Sequence, residues 1–238
     1  MSFEKINGIV LKYVNYKESD KILSVLTRER GIVSLNARGC MRMNSMIASV
    51  CDVMCMAEFV IYRRSGIDYI SSASLIDSFY SIREDYDSFV AAMKVLELTS
   101  VAASSDEPWD ELFILCCHTL TFLAYSEANP NDLELCFLAK LLKISGYEPT
   151  LTRCVKCGVD LRRQREIRFS EDAGGAVCEH CGEGKKVFSA LSLEALRRML
   201  RLPVERMDKA VLPSKVREEL GILLHDYAEA VFERRFIK

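Results

Sequence analysis

Two Cys-x-x-Cys pairs, in "GYEPTLTRCVKCGVD" and "GGAVCEHCGEG", constrain this chain more than anything else in its sequence. Cys154 and Cys157 are separated from Cys178 and Cys181 by twenty residues, the spacing of a zinc ribbon or finger. A two-residue gap lets both thiolates of a pair reach one ion, and two such knuckles complete a tetrahedron with no position left for water. Gly158 and Gly182 directly follow the second cysteine of each pair, where a tight turn would be hindered by a Cβ. The spacing therefore predicts one structural Zn2+, with oxidised or metal-free pairs as the alternative. His180 lies inside the second pair and is expected to be an exposed neighbour, because four sulfurs already saturate the ion. A closed site argues against catalysis, which needs an open position for water. The His-x-Glu element of zinc deaminases is also missing.

The chain has ten cysteines, so the compartment matters. "MSFEKING" places a charged pair where the apolar core of a targeting segment would begin. The most apolar run, residues 112–124, is too short to cross a bilayer. A cytoplasmic location is expected, where thiols stay reduced. Cys40, Cys51, Cys55, Cys116, Cys117 and Cys136, all in apolar surroundings, are then expected to be small buried hydrophobes.

The first 80 residues read as five short strands: "NGIVLKYVNY", "DKILSVLTRE", "IVSLNARG", "CDVMCMAEFVIYRR" and "IDYISSASLI". Five strands in so short a stretch suggest a small closed barrel, with the five-stranded OB-fold as leading candidate. From Phe79 the period changes to three and four, predicting three packed helices over residues 79–146. Asn129 and Pro130 open the third of these, while Gly146 and Pro149 close it. Two further helices follow the cysteine segment, with Ser192 and Ser214 as candidate N-caps and Pro203 and Pro213 marking the break between them. They are expected to pack back on the first three. The reading is thus an OB barrel over residues 1–78 and an all-α helical domain over 79–238, with an inserted four-cysteine zinc lobe at about 147–188.

Net charge is −2 and hides a division. Lys and Arg number 10 against 8 acidic residues over 1–80, 4 against 12 over 81–150, and 18 against 14 over 151–238. Lys12, Lys17, Lys21, Arg38, Arg42, Arg63 and Arg64 are the cations an OB barrel could gather into a groove for nucleic acid, with Tyr13, Tyr16 and Tyr62 available to stack on bases. A second basic region comprises "LRRQREIR" at 161–168 and Arg197, Arg198 and Arg201, which could extend a DNA track or pair with a partner's carboxylates. The ordinary reading of all these cations is a solvated face.

The order of a barrel-like N-terminus, an acidic helical middle, and then "GYEPTLTRCVKCG" and "FSEDAGGAVCEHC" resembles the RecO family of bacterial recombination mediators. The opening "GIVLKYVNYKESDKILSVLTRERGIVSLNARG" is similar too, with Glu18, Asp20, Thr27, Gly31 and Ala37-Arg38-Gly39 at the family's intervals. The resemblance implies an OB-fold domain, then a helical domain with a zinc lobe. It implies binding of single- and double-stranded DNA, strand annealing, and work with RecR to help RecA displace single-strand-binding protein. It also implies docking of that protein's acidic, apolar C-terminal tail. The tail is expected in an apolar groove between the middle helices, with Lys140, Lys143 or the C-terminal arginines gripping its carboxylate. Where many relatives carry a run of arginines, this chain has "ARGCMRMNS", which leaves Arg38 and Arg42 among methionines.

No enzyme is expected. His118 and His225 sit in apolar helical runs, and neither a phosphate-cradling loop nor a nucleophile elbow occurs. The rival reading is a zinc-stapled adaptor or regulator that binds proteins and not DNA.

Overall fold

The computed structural model describes residues 3–103, 108–162, 164 and 166–236. Alternating apolar residues form five strands: β1 (Phe3–Tyr16), β2 (Asp20–Thr27), β3 (Gly31–Ala37), β4 (Met56–Arg64) and β5 (Ile67–Asp77). They close into a barrel in the order β1-β2-β3-β5-β4. Of these strands only β3 and β5 pair in parallel, through Leu35 with Asp68 and Asn36 with Tyr69, which is the OB-like closure. Val25, Val33, Leu35, Phe59, Ile61 and Ile70 point inward at the strand period of two.

Strand β1 is long because it serves two neighbours, pairing with β4 through Phe3–Ile9 and with β2 from Gly8 onward. At Gly8, where the ladders overlap, a Cβ would lie 2.4 Å from Val25 Cγ1 and 3.0 Å from the Leu26 carbonyl oxygen. The strand expected from Cys51 begins only at Met56. Residues 38–55 form instead a turn-rich connection with a 3₁₀ turn at Ala48–Val50, and Cys40, Cys51 and Cys55 plug the core from it.

The chain divides into two compact units, Met1–Ala124 and Tyr125–Lys238. The helices after Phe79 are therefore split between the two. In the first unit Phe79 adopts a left-handed conformation and a 3₁₀ turn, Tyr80–Glu84, precedes α1 (Tyr86–Ala102), so the helix expected from Phe79 starts later. Asp85 caps α1 by accepting from the Ser88 N–H at 2.8 Å. α2 (Asp110–Tyr125) follows.

The second unit holds α3 (Pro130–Ile144), a three-stranded sheet of β6 (Glu166–Ser170), β7 (Gly175–Val177) and β8 (Val187–Ser189), then α4 (Ala190–Arg201) and α5 (Ser214–Val231). Asn129 Oδ1 caps α3, accepting from the N–H groups of Asn131 and Asp132 at 3.0 and 3.3 Å. Within this unit α3 packs on α4 and α5. The two serine caps expected downstream are corrected. Ser189, not Ser192, caps α4, and α5 is preceded by Pro213 with Ser214 as its first residue and no side-chain cap. Ser192 Oγ is turned to Glu219, at 2.7 Å. Among the described residues no helix is long and apolar enough to cross a membrane.

Candidate metal centre and nucleic-acid interface

The sulfurs of Cys154, Cys157, Cys178 and Cys181 all lie within 4.8 Å of one another, and those of Cys157 and Cys178 are 3.7 Å apart. A tetrahedral ion with Zn–S bonds of about 2.3 Å separates its sulfurs by about 3.8 Å, so the donor set fits a metal such as zinc in type, number and spacing. In the first knuckle the Gly158 N–H donates to the Cys154 carbonyl at 2.8 Å, and Gly158 has a φ of +77°, where a side chain would be strained. The second knuckle repeats the bond from Gly182 to Cys178 at 2.9 Å. Gly182 is needed there for room, because its Cβ would meet Val177 Cγ2 at 2.7 Å and Arg168 Cβ at 2.9 Å.

Burial opposes charge on the Cys154 thiol, but the N–H groups of Cys178, Cys157 and Lys156 prevail and lower it to about 6. Sulfur contacts with Cys178 and Cys157 push Cys181 up to about 12. The cluster thus presents one favoured thiolate and competing thiols, which a dication would replace with four thiolates. The Val155 N–H donates to the Ala176 carbonyl at 3.0 Å and joins the first knuckle to β7. His180 is exposed.

On the barrel, the Met41 N–H donates to the Ser19 carbonyl at 3.0 Å, and the Gly39 N–H to Asp20 Oδ1 at 2.8 Å. These bonds join the β1–β2 turn to the segment after β3 and bring Lys17, Lys21, Arg38 and Arg42 to one rim. Lys17 has its Nζ 5.1 Å from the Tyr16 ring centre. Lys21 lies 3.6 Å over Tyr13 and donates to the Cys51 carbonyl at 2.9 Å. The Arg38 guanidinium lies 4.2 Å over Tyr69. Lys12 and Arg64 are exposed on β1 and β4. Arg63 faces Asp68 at 3.5 Å, a buried carboxylate also held by Arg30 at 3.0 Å.

Tyr62 is not free to stack on a base. It is stacked with Tyr69 at 5.4 Å and met by the edge of Phe3 at 6.0 Å. Tyr69, which sequence reasoning passed over, anchors Arg38, and the parallel register of β3 with β5 that sets Asn36 against Tyr69 brings the two together.

In the second unit Arg197 is 13% exposed, bonded to Glu194 at 2.9 Å and to the Leu151 carbonyl, and so ties α4 to the start of the lobe. Arg198 is exposed. Lys140 is buried and donates to the Leu202 carbonyl at the end of α4, and burial lowers its pKa. Lys143 pairs with Glu148 at 3.3 Å. In "LRRQREIR", Arg162 pairs with Asp160 at Nε, 3.0 Å, while Arg163 and Arg165 lie outside the described residues. Sequence reasoning missed a groove of about 310 Å³ with Leu202, Val211 and Leu212 in its lining and Arg198, Arg201 and Lys209 around it. Its one signal was "AVLP", an apolar pair stranded between two helices, of which Val211 is 82% exposed. His225 Nε2 lies 3.1 Å from buried Glu134 and its Nδ1 2.8 Å from the Gly221 carbonyl, while half-buried His118 lies against Phe122.

The family model described as "Recombination protein O N terminal" matches residues 1–79, and "Recombination protein O C terminal" matches residues 83–238. A protein named "DNA repair protein RecO" from Desulforamulus reducens is 32% identical over 99% of this chain and 92% of its own length. Its namesakes from Symbiobacterium thermophilum and Acetivibrio thermocellus are 28% and 26% identical, over 99% and 100% of this chain and 94% and 95% of theirs. With both halves matched and a relative above 30% identity along its length, the chain belongs to the recombination protein O family.

Proposed function

We propose that this chain is a non-enzymatic mediator of recombinational DNA repair in the cytoplasm. It holds single- and double-stranded DNA on its barrel, anneals complementary strands and, with RecR, helps RecA replace single-strand-binding protein. The observation that carries this reading is the closed OB-like barrel whose β1–β2 turn and β3–β4 connection share a cationic rim of Lys17, Lys21, Arg38 and Arg42. One Zn2+ in the Cys154, Cys157, Cys178 and Cys181 cluster serves structure, since all four positions of a tetrahedron are taken by protein. The acidic tail of single-strand-binding protein fits the groove at the end of α4, with an apolar floor and Arg198, Arg201 and Lys209 for its carboxylates. These cations suit that role better than Lys140, whose ammonium is engaged at Leu202.

The test is the salt dependence of oligonucleotide binding. Five phosphate contacts to a single strand give a log–log slope of about −3.5. A slope near zero overturns the reading. The groove also favours the rival adaptor reading, which predicts tail-peptide binding with no affinity for DNA.

A further inference from the structure

The connection after β3 carries four methionines, and three of them are displayed. Met43 is 99% exposed, Met46 94% and Met41 50%, while Met54, Met199 and Met207 of the same chain are buried at 0–2%. The segment that holds them is built. Successive N–H bonds run from Arg42 to the Gly39 carbonyl at 3.1 Å and from Ser45 to Arg42 at 3.0 Å, and Met41 is tied to Ser19. Cys40 and Ile47 on either side are buried in the barrel core. The thioethers thus stand outside an anchored turn, and exposing them has no use in folding.

Cations flank them. Arg38 lies before the turn over Tyr69, and Arg42 folds back on Gly39, where a Cβ would lie 3.4 Å from its side chain. Lys17 is on the adjoining β1–β2 turn, beside exposed Glu18, while Asp20 is occupied by the Gly39 N–H. A ligand for this tip must offer anionic groups and apolar faces in alternation. Single-stranded nucleic acid does so, with phosphates at the arginines and unstacked bases against the thioethers, whereas stacking in a duplex covers those faces and opening a step costs free energy. Tyr62 and Tyr69 cannot take that part, since they face each other, whereas exposed Tyr13 and Tyr16 lie beside Lys21 and Lys17.

We propose that Met41, Met43 and Met46 form an apolar tip that packs on unstacked bases, so that this part of the barrel favours single over double strands. This rests on the DNA-binding function proposed above. It is tested by oxidation footprinting of the full chain with dilute hydrogen peroxide, read by peptide mass spectrometry, alone, with oligo-dT and with duplex of equal length. Oligo-dT is expected to slow oxidation of Met43 and Met46 several-fold and duplex to leave it unchanged, with buried Met54 as internal control. The variant Met41→Gln/Met43→Gln/Met46→Gln is expected to bind oligo-dT about tenfold more weakly with an unchanged salt slope, whereas Arg38→Gln/Arg42→Gln flattens the slope. Salt-dependent binding without protection, or with full affinity in the triple variant, overturns the tip and leaves DNA binding standing. Absence of any DNA binding overturns both. Protection by an acidic apolar peptide but not by oligo-dT assigns the tip to a protein partner and refutes the proposal.

Discussion

Asp132 is 1% exposed and accepts from Arg217 Nε at 2.5 Å and Nη2 at 3.1 Å, and from the Leu212 N–H at 3.0 Å. One carboxylate thereby fastens α3 to α5 and to the loop before it. Asp132→Ala strands a guanidinium and a buried N–H, and should cost about 3 kcal/mol in denaturant unfolding. A loss under about 0.5 kcal/mol, the usual range of a surface change, would show the pair to be solvated. Gly8→Ala forces a methyl into Val25 and should cost about 1–3 kcal/mol by overpacking. Neither role was legible in the sequence. The partners of Asp132 lie 80 and 85 residues away, so it read only as an acidic residue in the first turn of a helix. The four cysteines were legible, because a chelating pair carries its geometry in a two-residue gap. Gly158 was legible for the same reason, whereas the crowding at Gly182 comes from Val177 and Arg168 and needs the folded lobe.

Elements differ in how much of them is local. The five strands follow from alternation, but the parallel pairing of β3 with β5 that closes the barrel does not, and residues 51–55 look like strand because their apolar side chains fill the core from turns. α4 is capped three residues before Ser192, whose hydroxyl is turned across to Glu219 of α5. Burial favours protonation of Glu219, but bonds from the Ser189 N–H and the Ser192 and Ser189 hydroxyls win and lower its pKa below the usual 4.5. Its folded pKa is depressed, so the stability it adds is present above about 4.5 and lost as pH falls through the folded value. Glu219→Gln should therefore lower the midpoint of unfolding at pH 7 and by progressively less as pH falls below about 4.5, checked by thermal melts across that range. In the zinc lobe, chelation should melt β6 to β8, and Gly182→Ala should weaken metal retention more than Gly158→Ala. Competition with a colorimetric zinc chelator reads that order. The lobe's sheet has strands of only three to five residues, too little to hold without the clamp.

At the scale of the molecule, a formal charge of −2 conceals mildly basic ends and an acidic middle, which is why overall composition pointed to no polyanion. Local assembly changes this: the bonds from Met41 and Gly39 gather four cations on one rim of the barrel, though they are dispersed along 26 residues of sequence. The same folding removes Lys140 and Arg197 from any binding surface and supplies a cation-rimmed groove in their place. The central claim is that the barrel pairs strands without chemistry. It is met most directly by annealing of complementary oligonucleotides, both free and coated with single-strand-binding protein, followed by fluorescence quenching with no nucleotide present. The account predicts faster pairing of both, lost in an Arg38→Glu/Arg42→Glu chain that still holds one zinc. Pairing at the spontaneous rate by the intact, zinc-loaded chain would contradict it.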